Sequence, residues 1–158
     1  MILAELGLNQ SFAQATGLVR GAASVQNKDW GVTITWRYNG TPYLDSGDAI
    51  YRQMLTAYKC SANYEVIFDY PTYPDNNPYG VMTDEHFEAL ERFWNDVVAL
   101  SPGTHGSIKA EAALLLPKDY GWGMRNPRDR IWGAWGPDEK SAQIWALREI
   151  CLHIMTLV

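Results

Sequence analysis

The chain has 158 residues, 47% of them apolar, and a net charge of −5. That supports a real core in one ordinary domain or two small ones, and it excludes a disordered chain. There is no basic stripe for nucleic acid, no apolar run near the roughly 18 residues of a membrane span, and no basic n-region in the opening MILAELGLNQ.

The predicted elements follow in chain order. Residues 2–6, ILAEL, read as a short strand with Glu5 near its end. Asn9 or Ser11 then caps a helix, and Ser11 with Gln14 fits a capping box. Phe12, Ala15, Val19, Ala22 and Ala23 recur at helical spacing, while Gly17 and Gly21 imply close packing against a sheet. This helix is expected to fray through QNKDWG. Residues 31–36, GVTITW, are β-branched and alternating, the pattern of a strand. A turn-rich loop follows, with Asn39-Gly40 and Thr41-Pro42, before Asp45 or Ser46 caps a second helix. Its buried stripe is Ile50, Met54, Leu55 and Tyr58.

Residues 64–69, YEVIFD, form a third strand, with Glu65 near its start as a structural residue. The stretch after it carries three prolines within about ten residues and cannot be helical. Thr83 caps a third helix, with Asp84 and Glu85 on its positive end. Phe87, Leu90, Phe93, Trp94, Val97 and Val98 give that helix a wide apolar face. The small, turn-forming residues SPGTHGS mark a linker. The expected organisation is therefore 1–101 as βα units, 102–107 as the linker, and 108–158 as the start of a second small α/β unit. In that last part, AEAALLL at 110–116 reads as a strand, and Asp138 or Ser141 caps a final helix.

Between strand and helix lies an aromatic stretch, DYGWGMRNPRDRIWGAWGPDEKSAQIW, at 119–145. It holds Trp122, Trp132, Trp135 and Trp145, four of the seven tryptophans, beside Arg125, Arg128 and Arg130. It has neither apolar period until about Ser141. Two readings stand open. The rings cover a neighbouring core, as buried tryptophans usually do. Alternatively they present flat surfaces and polar forks to a polyhydroxylated ligand, whose C–H faces pack on rings.

Strands alternating with helices predict an α/β fold with a parallel sheet and right-handed crossovers. In such folds ligands bind beyond the carboxyl ends of the strands. That rule picks out Glu5 and Asn9, then Trp36, Arg37 and Tyr38, then Asp69, Tyr70 and Tyr73, then Asp119, Tyr120, Trp122 and Arg125. Glu5 and Asp69 are the candidate paired carboxylates. Two such groups roughly 5–9 Å apart across a glycosidic bond serve as acid and nucleophile, or as acid and base. The plainer alternative is that each acid caps a helix or fixes a loop. No GxGxxG, no GxxxxGK[ST] and no GxSxG occurs, which leaves nucleotide-loop and serine-hydrolase chemistry without a motif. His86, His105 and His153 are scattered, and Cys60 and Cys151 have no metal-ligand spacing. No metal or cofactor is expected. Free thiols and the missing signal peptide lead us to expect a cytoplasmic protein.

The segments GAASVQNKDWGVTITWRY, PYLDSGDAIYRQMLTAYKCSANYEVIFDYP and GVMTDEHFEALERFWNDV resemble the last strands and helices of a glycosidase-like (β/α)8, or TIM, barrel. The following AEAALLLPKDYGWGMRNPRDRIWGAWGPDEKSAQIW looks like the opening of the smaller α/β domain found after such barrels in β-galactosidase-like glycoside hydrolases, including uncharacterised archaeal ones. The resemblance implies a carbohydrate-active hydrolase that binds a saccharide at the strand ends. It also implies that the first three βα units correspond to the sixth to eighth barrel strands. Family catalytic glutamates commonly end the fourth and seventh strands. Here the seventh would be GVTITW, ending in Trp36, and the fourth is not in this chain. Neither Glu5 nor Asp69 inherits a role from the family motif, and the chain by itself lacks the usual pair. Three units cannot close a barrel, so the expected partners are further copies of the chain or the remainder of a longer one. The alternative function is a non-catalytic oligomerisation or protein-interaction module using 119–137, since Trp, Tyr and Arg anchor many interfaces.

Overall fold

A computed structural model describes residues 1–6, 12–34, 44–67 and 82–100, with 106, 115, 143 and 146. The chain divides into two compact units, Met1–Lys109 and Ala110–Val158.

The first unit alternates strand and helix: β1 (Ile2–Leu6), α1 (Phe12–Val25), β2 (Trp30–Ile34), α2 (Gly47–Lys59), β3 (Tyr64–Ile67) and α3 (Asp84–Phe93). A π-helical turn, Trp94–Val98, extends α3. The strands form a parallel sheet in the order β1-β2-β3. Its register aligns Leu3, Gly31 and Tyr64 in one row, Ala4, Val32 and Glu65 in the next, then Glu5, Thr33 and Val66.

Side chains alternate across a strand, so these rows face opposite ways. Ala4, Leu6, Trp30, Val32 and Ile34 lie under the helices. There α1 contributes Val19 and Ala23 and α2 contributes Ala57, while Ile50, Met54 and Phe93 pack with Ile34 at the other end. Leu3 and Val66, at 41% exposure each, and Tyr64, at 43%, stand on the opposite face. One face is thus helix-covered and the other open. This follows from the order of the strands. When each strand is laid beside the last in one direction, crossovers of a single hand put every helix on the same side.

Both helix-to-strand connections use the same cap. After α1, Lys28 N–H donates to the Ala23 carbonyl at 3.0 Å and Asn27 N–H to Ser24 at 3.2 Å. After α2, Ala62 N–H donates to Ala57 at 3.0 Å and Ser61 N–H to Tyr58 at 2.9 Å. These are Schellman motifs. The left-handed position is filled by Asn27 at φ 50° and Ser61 at φ 69° rather than by glycine. The expectation that α1 frays through QNKDWG is therefore corrected: Asn27 reverses the chain and Trp30 is already in the sheet.

Other expectations change as well. Gly17 and Gly21 do not pack closely, since a side chain at either would meet open space. Thr16, not Ala22, completes the buried face of α1. On α3 the buried positions are His86, Ala89 and Phe93, whereas Phe87 is partly exposed and Trp94 is 61% exposed. Phe87 and Trp94 are seven residues apart and share a stripe beside the buried one. The π-helical turn, closed by Ala99 N–H on the Trp94 carbonyl at 2.8 Å, winds Val97 and Val98 back onto the core and leaves Trp94 outside.

In the second unit Gln143 and Ala146 are helical and exposed, within the predicted final helix. Leu115, the one described residue of the run AEAALLL that reads as a strand, is in no strand and is highly exposed. Pro117, two residues on, has no N–H to offer a ladder.

Candidate functional site

The carboxyl ends of β2 and β3 feed the segments that lead to the N-termini of α2 and α3. Those two N-termini are tied together by polar contacts. Ser46 caps α2, its hydroxyl accepting from Ala49 N–H at 3.4 Å. Gly47 follows as the first helical residue, with an N–H that has no partner inside its own helix. Glu85, from the first turn of α3, accepts that hydrogen at 2.9 Å. A Cβ on Gly47 would overlap the Glu85 carbonyl, so the close approach requires glycine.

His86 makes a second tie. Its Nδ1 accepts from Thr83 N–H at 2.9 Å, the return half of a capping box in which histidine takes the usual place of Glu or Gln. With Nδ1 an acceptor, the ring hydrogen sits on Nε2 and is donated to the Asp45 carbonyl at 2.9 Å. Asp45 in turn accepts from Gln53 Nε2 at 2.9 Å on its side chain. His86 is buried and both its nitrogens are engaged, which fixes the orientation of the ring.

On the outer side, Arg92 Nη2 pairs with Asp48 Oδ1 at 2.8 Å, and its guanidinium lies 4.2 Å from the centre of the Tyr51 ring. The hydrogen bond and the charge of Arg92 hold the Asp48 carboxyl below its usual range. Ser46, Gly47, Asp48, Glu85, Glu88, Ala89 and Arg92 line a groove of about 350 Å³ at this end of the helices. It is polar and acidic on balance, with the carboxylates of Asp48, Glu85 and Glu88 against the one guanidinium of Arg92. It offers hydrogen-bonding groups to a polar ligand but no nucleophile–base pair. Among the described residues no group of three or more His, Cys, Asp or Glu is arranged to hold a metal ion.

Of the residues singled out at the strand ends, Glu5 is the one described. It is exposed on the open face, in the row of Thr33 and Val66, one residue before β1 ends. Asn9, Trp36, Arg37, Tyr38, Asp69, Tyr70, Tyr73, Asp119, Tyr120, Trp122 and Arg125 lie outside the described residues, as does the stretch 119–137. Cys60 is a free thiol, half-buried, and burial pushes its pKa up. Cys151 is outside the described residues.

The Asp45–His86 and Gly47–Glu85 ties are not among the sequence-predicted site residues. Thr83-x-x-His86 was the available signal, an N-cap with a side-chain acceptor three residues on. No helix among the described residues is long and apolar enough to cross a membrane. The chain matches no protein family, no curated protein and no solved structure.

Proposed function

We propose that the chain is a carbohydrate-binding protein of barrel-type βα units, glycoside-hydrolase-like in plan, which takes a saccharide at the carboxyl ends of its strands. The observation that carries this reading is the one-sided sheet. Sequential parallel strands with all helices on one face are what a barrel wall requires, and the open face corresponds to the barrel interior. Glu5 stands on that face near a strand's carboxyl end, where ligand-facing acids belong in such architectures. In sequence, Trp36, Arg37 and Tyr38 follow β2, and Asp69, Tyr70 and Tyr73 follow β3. Rings and polar forks of this kind suit a sugar. Isothermal titration against a panel of oligosaccharides tests the proposal. Heat from at least one of them, reduced in Glu5→Gln and Trp36→Ala, is expected. A full panel without heat defeats it.

Leu3, Tyr64 and Val66, exposed on the open face, favour a second reading, in which the chain is a non-catalytic assembly module. A monomer by light scattering at micromolar concentration would eliminate it.

A further inference from the structure

Glu65 is the second residue of β3, and its side chain turns to the helix-covered face in the row of Ala4 and Val32. Both carboxyl oxygens are sealed from solvent, and neither has a hydrogen-bond partner among the described residues. A sugar or partner docking on the open face would not meet this group. An ionised carboxylate in such a position is strongly unfavourable, and the acid keeps its proton instead.

Among the described residues, the elements packed on that face give it no counter-charge. Their buried side chains are Thr16, Val19 and Ala23 on α1, Ile50, Met54 and Ala57 on α2, and His86, Ala89 and Phe93 on α3. The titratable or charged groups among or beside them are Arg20 on α1, Tyr51, Tyr58 and Cys60 on or just after α2, and His86 on α3. The Arg20 charge acts on Cys60, while burial and none of these charges acts on Glu65. The ring of Tyr58 packs edge-on against Phe93, and both nitrogens of His86 are already bonded. Burial alone pushes the Glu65 carboxyl from its ordinary 4.5 up to about 8.

We propose that Glu65 is a proton-controlled latch: packed as a neutral acid beneath the helices, it gives its proton to solvent as the medium turns alkaline, and the helical layer over β3 loosens to hydrate the carboxylate. The direction of the linkage is fixed. Between about 4.5 and 8 the folded chain holds a proton that the unfolded chain has lost. The stability supplied by that proton is complete below the lower value, declines as pH rises and is gone above the upper one.

The test combines carbon-13 NMR titration of the glutamate carboxyls in the intact chain with urea unfolding at several pH values. The Glu65 carboxyl is expected to titrate near 8. The folding equilibrium constant of the native chain should fall about tenfold per pH unit in mid-window, relative to Glu65→Gln. A Glu65 carboxyl titrating in the ordinary range, or parallel pH dependence in the two chains, overturns the proposal. If Glu65→Gln does not fold, the titration of the native chain decides alone.

Discussion

Glu85 Oε2 lies 2.9 Å from the backbone nitrogen of Gly47, so an acid in the first turn of α3 satisfies the first amide of α2. The contact joins two helices that the sheet alone would hold only through their apolar sides. Glu85→Ala should lower stability by about 1 kcal/mol, the usual effect of losing a capping acceptor, and Glu85→Gln should lose less. Gly47→Ala brings a Cβ against the Glu85 backbone, which no rotamer change relieves. We expect a loss of about 1–2 kcal/mol despite alanine's better helix propensity. Urea denaturation of the three variants measures both effects, and a more stable Gly47→Ala would contradict the close approach.

Removing His86 should be more damaging. His86→Ala leaves the Thr83 amide and the Asp45 carbonyl without their partner and opens a void in a buried site. About 2–3 kcal/mol is the expected loss. Glutamine is a customary residue at this capping-box position and carries both an acceptor and a donor, so His86→Gln should recover part of it. Equal losses in the two variants would show that the ring's packing, not its hydrogen bonds, is what matters.

Glycine substitutions should stabilise at one place and its removal at another. Ser61 sits at φ 69° in the cap of α2, where glycine avoids the left-handed penalty of a side chain. Ser61→Gly should raise stability by about 1 kcal/mol, and Asn27→Gly by less, because asparagine tolerates this region better. Gly17 and Gly21, in contrast, stand in mid-helix with open space around them. Gly17→Ala and Gly21→Ala should each add about 0.5–1 kcal/mol. Thermal unfolding reports all four. A loss on Gly17→Ala would mean that something approaches this side of α1.

Thr16 is fully buried, and its hydroxyl has no hydrogen-bond partner among the described residues. Thr16→Val keeps the shape, removes the stranded hydroxyl and changes helix propensity little. A gain of about 1 kcal/mol in chemical denaturation is expected. A loss would place an ordered water on Oγ1.

The frame of the first unit was legible because its signals are local and periodic. The apolar spacing of Ile50 and Met54 marks the buried side of α2, and the alternation in GVTI marks a sheet strand. Asp45 or Ser46 is the expected cap of α2, and Ser46 fills it. What escaped was decided by geometry that composition conceals. Asn27 lies in a polar run resembling a frayed end, yet its tolerance of positive φ makes it a stop. His86 and Glu85 read as first-turn residues of their own helix, and their bonds reach Asp45 and Gly47 some forty positions back. Phe87 and Trp94 count as core on any apolar scale, but a π-helical turn and a buried histidine set a different face inward. Of the strand-end residues, Glu5 was read correctly as lying near the end of its strand.

The neighbour-to-neighbour order of the strands also bears on how the chain finds its fold. Each strand pairs with the one nearest to it in sequence, so closing a pair never spans more than a single strand–helix excursion. The loop-closure entropy of each step is accordingly small, and the sheet can grow one edge at a time. A nascent chain could seat β2 on β1, with α1 above them, before β3 has been synthesised, and the Schellman turn at Asn27 would already aim the strand at its partner.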